Sequence, residues 1–197
     1  DSDGVERMKG VELVLPICTG TAAFWLGKKA DDLNSHRWTV YVRSAAGEDV
    51  SHILSKVTFG LHHSFLQPSR EVVQPPYEVS ETGWGEFDIS IQLQFAEDAH
   101  EESIELSHSL KLYSEAEPNP QSTRTPVVSE VYEEIVLNQP ARAFYERIKS
   151  HIPRPAPASP LDEHFIKHSD AEEWAQLQAA EAKVDQMAQS LREKLAA

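Results

Sequence analysis

The chain has 197 residues, 40% of them apolar, and its 32 acids against 18 Lys and Arg give a formal net charge of −14. That length allows one core of ordinary size plus an appendage, and that charge argues against sequence-independent DNA or RNA binding, which needs a basic surface to displace counterions; basic proteins or peptides are the expected partners. No apolar run reaches membrane-spanning length, so no membrane partner is expected, and the one cysteine, Cys18 in LPICTG, excludes an intrachain disulfide and reads as a buried structural thiol in a reducing compartment.

In chain order, VELVLPI (11–17) is predicted as a strand with Val11, Leu13, Leu15 and Ile17 on one face, and RWTVYV (37–42) as a second, rich in β-branched and aromatic residues. HILSKVTFGL (52–61) holds a third, centred on Val57, Phe59 and Leu61. FDISIQLQF (87–95) alternates without a break: Phe87, Ile89, Ile91, Leu93 and Phe95 face a core, and Asp88, Ser90, Gln92 and Gln94 face water. IELSHSLKLY (104–113) is a fifth strand, and TPVVSEVYEEIVL (125–137) holds a sixth. The connections carry turn residues, among them Ala46-Gly47, Gln67-Pro68-Ser69, Pro75-Pro76 and Pro118-Asn119-Pro120. Short strands with such punctuation predict an all-β sandwich held by apolar packing alone. Between Glu97 and Glu134 ten acids oppose only Lys111 and Arg124, a local net of −8.

After Leu137 the pattern changes. Asn138 is predicted to cap a short helix over 138–151, with Pro140 in its first turn and Phe144 and Ile148 at helical spacing. IPRPAPASP (152–160) reads as the start of a semi-rigid Pro-rich linker, 152–168. A final helix over 169–197 opens on the capping box Ser169-x-x-Glu172. Its stripe of Leu177, Val184 and Leu191, with Ala180 and Met187 between them and Leu195 at its end, fits about three heptads of a coiled coil. The expected organisation is thus a flexible 1–9, a sandwich over 10–137, the short helix, the linker and the coiled-coil helix.

Three segments fall at strand ends or on loops, where a rigid sandwich carries its binding residues: LNSHRW (33–38), LHHSF (61–65) and TGWGEF (82–87). LHHSF supplies an imidazole, a hydroxyl and an aromatic face. In TGWGEF, Trp84 stands between Gly83 and Gly85. One reading is a ligand slot, in which glycine lets the main chain come close enough for its N–H groups to donate. The other is a kinked bulge with Trp84 in the core. The residue pattern leaves both open.

Read together, LPICTGTAAFWLGKKA (15–30), SHRWTVYVR (35–43), the long run KVTFGLHHSFLQPSREVVQPPYEVSETGWGEFDISIQLQF (56–95) and SLKLY (109–113) resemble the YEATS domain family over about two-thirds of the chain. The following PVV segment and C-terminal helix resemble its single-YEATS chromatin-complex subunits, plant and algal ones especially. The resemblance implies an immunoglobulin-like sandwich that reads acetylated or crotonylated lysine on histone tails, in the nucleus, without a cofactor or enzymatic activity. Phe65 and Trp84 would be two aromatic walls, and Ser64 would hydrogen-bond the acyl amide. The backbone N–H of Trp84 would take the acyl carbonyl, with Gly83 and Gly85 permitting the approach. His62 would line the slot and fix Ser64, and Phe87 would support it from behind. Asn34 stands where relatives carry an aromatic or His; it, His36 and His63 are the candidate slot cover. The flat, uncharged amide stacks between π faces, while a charged ammonium would lose its hydration with no carboxylate to compensate. Through Leu177, Val184, Met187 and Leu191 the helix would dock other subunits of remodelling and acetyltransferase complexes, or a second copy of the chain.

Three other readings compete. His62 and Ser64 suggest a nucleophile, but no G-x-S-x-G elbow surrounds Ser64 and no acid is placed to orient the imidazole. His164 and His168, near Asp162 and Glu163, fit a solvated pair better than a metal motif. A scaffold acting only through its C-terminal helix is the serious alternative; it permits Phe65 and Trp84 to be buried, whereas a reader needs them partly exposed and facing each other.

Overall fold

The computed structural model describes residues 4–114, 121–168 and 171–196, without the side chains of 171–173, 190, 191 and 193–196. The Pro118-Asn119-Pro120 turn and Ser169 therefore lie outside the described residues, as do the side chains of Glu172, Leu191 and Leu195. Eight strands form two antiparallel four-stranded sheets: β1 (Glu12–Trp25), β2 (His36–Ser44), β3 (Leu54–Gly60), β4 (Ser69–Val72), β5 (Tyr77–Gly83), β6 (Asp88–Phe95), β7 (Ile104–Ser109) and β8 (Val127–Asn138). The first sheet runs β5-β2-β1-β8 and the second β4-β3-β6-β7. Trp38, Val40 and Val42 of β2 and Leu15 and Ile17 of β1 meet Val57, Phe59, Ile89, Ile91 and Leu93 of the second sheet in one core. This is the expected immunoglobulin-like sandwich.

Two strands escape the sequence pattern. β4 and β5 are both edge strands, and their alternation is mostly polar. β1 is also twice its expected length, because CTGTAAFW continues the strand that VELVLPI begins. Its small residues hide the alternation: Cys18 through Ala23 are buried on both faces. Gly20 is small for a reason, since a Cβ there would stand 2.4 Å from the Tyr41 ring.

The outer face of the first sheet is covered by the stretch expected to be a spacer. Pro155 bridges to Glu48, the Ala156 N–H donates to the Gly47 carbonyl (3.0 Å), and the Asp49 N–H donates to the Arg154 carbonyl (2.8 Å). A turn over 159–164 then buries Leu161 against Ala22 and Tyr41. Phe165 lies 4.8 Å from the Tyr41 ring. Beneath it Arg43 pairs with Glu130 at 2.7 Å, and Tyr41 donates its hydroxyl to the same carboxylate at 2.8 Å. The Glu130 side chain is 0% exposed. An ion pair so enclosed holds together only because each group is satisfied. The Pro-rich segment docks because Leu161 and Phe165 follow it and have an apolar sheet face to cover. The Cys18 thiol, under the same cover, is buried, and burial pushes its pKa up to about 11.

Two further expectations change. Asn138 does not cap a helix: it ends β8, and α1 spans Arg142–Ser150 with Ala141 at its N-cap. Phe144 of α1 is fully buried, and Arg147 clamps Asp98 through two bonds (2.7 and 2.6 Å). Nor is the lead-in simply flexible. Arg7 bridges to Ala141 and reaches the Glu101 carboxylate (2.7 Å), while the Met8 N–H donates to the Pro140 carbonyl (2.9 Å). The second compact unit, 167–197, holds α2 (Ala171–Ala196), on which Trp174, Leu177, Val184 and Met187 are all exposed.

Candidate functional site

At one end of the sandwich the strand registers bring three connections together. Trp25 lies opposite His36, His36 opposite Gly83, and Gly60 opposite both Ser69 and Ser90. The segments 26–35, 61–68 and 84–87 emerge side by side, and the last carries the chain from β5 in one sheet to β6 in the other. A cleft of about 760 Å³ opens among them. His62, Ser64 and Phe65 line it from the β3–β4 loop; Gly83, Trp84, Gly85 and Phe87 line it from the β5–β6 crossover.

Aromatic packing forms the interior of this end. Phe65 and Phe87 lie 5.6 Å apart, and each meets the buried Trp38 edge-on at 5.7 Å. Trp84 is different: it is 61% exposed and, among the described residues, touches no other ring. The buried-bulge reading of Trp84 is thereby excluded. Gly83 sits against the floor, where a Cβ would come within 3.4 Å of Trp38 Nε1 and 3.7 Å of Phe65. A Cβ on Gly85 would meet nothing within 4 Å, and neither glycine needs a left-handed backbone.

The polar groups are oriented. The Ser64 N–H donates to His62 Nδ1 (3.3 Å), so that nitrogen carries its lone pair toward Ser64, and the Ser64 hydroxyl 2.9 Å away donates to it as well. The Oγ lone pairs remain available to accept an N–H. Among the described residues, the Trp84 and Gly85 N–H groups have no backbone acceptor. One acceptor and unpaired donors therefore share an aromatic cleft. The His62–Ser64 distance would suit a nucleophile and base, but no carboxylate among the described residues bonds His62.

The slot-cover candidates fall elsewhere. Asn34 ties its loop down: its Nδ2 donates to Asp31 (3.2 Å) and its Oδ1 accepts the Thr82 hydroxyl (2.9 Å). Its neighbour Leu33 lines the cleft instead. His36 is buried, edge-on to Tyr113 at 5.2 Å, and burial holds its pKa below the ordinary histidine value despite the nearby Glu86. His63 packs 4.0 Å from His62, outside the lining. The expectation of a cleft without a carboxylate also fails, because Glu86 lines it; its Oε1 accepts the N–H groups of Leu112 (2.7 Å) and Tyr113 (3.3 Å). Sequence reasoning missed Leu33, Thr82 and Glu86 as lining, and Trp38 beneath it.

Residues 33–114 match the YEATS family, a span that includes every residue lining the cleft. Transcription initiation factor TFIID subunit 14b of Arabidopsis thaliana is 40% identical over 96% of this chain and 81% of its own length. The chain belongs to the YEATS family. The AF-9 homolog of Saccharomyces cerevisiae is 33% identical over 96% of this chain and 92% of its own. Among solved structures, the Yaf9 YEATS domain bound to H3K27ac superposes with a TM-score of 0.65 at 36% identity, covering 74% of this chain and 99% of that one. The Yaf9 YEATS domain recognizing an H3K122suc peptide gives a TM-score of 0.62 at 36% identity, covering 74% and 98%. The YEATS sandwich of this chain thus places its aromatic cleft within the part that the family shares.

Proposed function

We propose that this YEATS chain is a histone acyl-lysine reader and a non-enzymatic subunit of nuclear chromatin complexes. The observation that carries the reading is the pairing of a Ser64 acceptor with an unpaired Trp84 N–H in one aromatic cleft. An acylated lysine offers the complement: an amide N–H for Ser64 Oγ and a carbonyl for Trp84 N–H, on a flat group that Phe65 and Trp84 can flank. Acetylation removes the ammonium charge, and with it the cost of stripping a charged group of water. Longer planar acyl groups such as crotonyl add stacking area. His62 acts on Ser64, holding its hydroxyl so that the lone pairs face the ligand. Relatives bound to H3K27ac or recognizing an H3K122suc peptide support an acylated segment of histone H3 as the ligand, and the acidic surface attracts the unmodified lysines and arginines of such a basic segment.

The exposed stripe of Leu177, Val184 and Met187 on α2 favours a second, coexisting role. As a coiled coil with another subunit, or with a copy of itself, the helix would hold the reader in remodelling and acetyltransferase assemblies that serve histone variant exchange and transcription. Under this division 10–137 reads and 169–197 docks.

Titrating the chain with one histone-tail peptide in unmodified, acetylated and crotonylated forms tests the reading. Acylated peptides are expected to bind at least tenfold more tightly than the unmodified one. Trp84→Ala, at an exposed position, should abolish that preference without loss of stability. Phe65→Ala should abolish it at a stability cost of about 2–3 kcal/mol, since Phe65 packs on Trp38 and Phe87. Equal binding of all three peptides would sink the reading and leave the helix as the working part.

A further inference from the structure

The Trp84 N–H shares one trans peptide with the Gly83 carbonyl, so the two groups point to opposite sides of the chain. β5 is an edge strand, and its last rung pairs Gly83 with His36 of β2. On the paired side the Ser35 N–H donates to the Gly83 carbonyl (3.2 Å), and the Ser35 hydroxyl donates to the same oxygen (3.3 Å). The Trp84 N–H is thereby turned to the open side, away from β2. Behind the hydroxyl stands His36, with Nδ1 2.8 Å from Ser35 Oγ. His36 is buried, and burial favours its neutral form. A hydroxyl has a single proton to give. Once that proton goes to Gly83, the bond between Oγ and Nδ1 needs a proton from the imidazole, so His36 is the tautomer that carries Nδ1–H.

We propose that Ser35, oriented by His36, is a positioning residue for the acylated lysine: it fixes the plane of the Gly83–Trp84 peptide and strengthens the Trp84 N–H as a donor; this rests on the acyl-lysine reading above. Ser35 acts through that peptide and not on the ligand. Gly83 leaves the peptide plane freer than any other residue would, so the plane needs an anchor from outside the crossover. Ser35 supplies it twice, through its backbone and its hydroxyl. Asn34 ties the same loop to the end of β5, where its Oδ1 accepts the Thr82 hydroxyl (2.9 Å). The hydroxyl also acts electronically. An amide whose carbonyl accepts hydrogen bonds is polarised, its N–H becomes a better donor, and the bonds of such a chain reinforce one another. The chain here runs from His36 Nδ1–H to the Ser35 hydroxyl, through the Gly83–Trp84 amide, to the acyl carbonyl.

The test uses the whole chain and one histone H3 peptide, unmodified or acetylated at a single lysine. Ser35→Ala removes the hydroxyl and keeps the backbone bond. It is expected to weaken acetyl-peptide binding about fivefold, the worth of roughly one hydrogen bond, and to leave binding of the unmodified peptide unchanged. Ser35→Thr restores a hydroxyl and should bring the affinity back to within about twofold of the wild type. Ser80→Ala removes a hydroxyl bond to Thr39 (2.7 Å) across the same two strands but away from the crossover, and should leave binding unchanged. Two NMR signatures separate positioning from a merely structural role. Acetyl-peptide binding should move the Trp84 amide proton downfield, and less so in Ser35→Ala; the nitrogen spectrum of His36 should show Nδ1 as the protonated nitrogen. Undiminished binding in Ser35→Ala, failure of Ser35→Thr to restore it, an equal loss in Ser80→Ala, an equal Trp84 shift in Ser35→Ala, or a His36 protonated only at Nε2 would overturn the proposal. If the wild-type protein does not distinguish the acetylated peptide from the unmodified one, the acyl-lysine reading itself falls, an outcome distinct from a selective reader whose affinity ignores Ser35.

Discussion

The two glycines around Trp84 answer to different demands. A Cβ on Gly83 would sit in ordinary van der Waals contact with Trp38 Nε1 (3.4 Å) and Phe65 (3.7 Å), so the aromatic floor leaves that position little spare room. Among the described residues nothing accounts for Gly85, whose Cβ would stand in open space with an ordinary φ. If a ligand's carbonyl approaches the main chain there, the ligand is what Gly85 makes room for. Gly85→Ala should therefore fold as well as the wild type or be up to about 1 kcal/mol more stable, since alanine restricts the unfolded chain. It should nonetheless weaken acyl-peptide binding at least tenfold. Thermal unfolding and a peptide titration on the same sample check both halves; unchanged binding would remove the close approach at Gly85. The aromatic, imidazole and hydroxyl residues of this cleft were legible in LHHSF and TGWGEF because each segment is one short loop. Leu33 was not, because the Asp31 carboxylate accepts the N–H groups of both Leu33 and Asn34, and Asn34 turns to Thr82, leaving Leu33 at the cleft. Glu86 was not, because nothing within TGWGEF shows that its carboxylate turns to the distant Leu112 and Tyr113 N–H groups.

Among the elements, strands with one apolar face were read directly, and those that failed lack that pattern for opposite reasons. β5 lies at a sheet edge and needs few apolar residues, whereas the latter half of β1 is covered on both faces and shows no alternation. The cover on its outer face is the 152–166 segment, whose proline content suggested a spacer. Polyproline composition describes an isolated chain; it says nothing of the sheet face that Leu161 and Phe165 reach. Magnitude separates the two roles. Leu161 is 4% exposed, and truncating a leucine so buried costs about 2–4 kcal/mol, whereas a solvated linker position stays within about 0.5 kcal/mol. Leu161→Ala is therefore expected to lower the free energy of urea unfolding by about 2 kcal/mol or more. A change under about 0.5 kcal/mol would return the segment to the status of a tether.

At the scale of the whole molecule, acid acts on stability in two opposing ways. Lowering the pH relieves the self-repulsion of a chain with a net charge of −14. It also asks buried histidines to take up protons. His108 is held below the ordinary histidine value by burial, with Nδ1 unpartnered and Nε2 3.4 Å from Thr21 Oγ1. His36 is lowered by burial, and His52 by burial and then by His151, stacked on it at 3.7 Å. A histidine whose folded pKa is depressed leaves the unfolded chain holding more protons, so stability is fully present above the unfolded value of about 6.5 and is lost as pH falls below it. Each such group contributes a slope of at most about 1.4 kcal/mol per pH unit between its folded and unfolded pKa values. General repulsion is spread over the surface and is screened beyond about 8 Å at physiological salt, so at that salt the histidines decide the sign. The midpoint of thermal unfolding should stay level from pH 8 to pH 7 and fall steadily between pH 6.5 and pH 5. His108→Gln, which cannot take up the proton, should show a shallower fall over the same window, whatever it costs at pH 8. A wild-type midpoint that rises as pH drops through that window would mean that relief of the net charge outweighs the buried imidazoles.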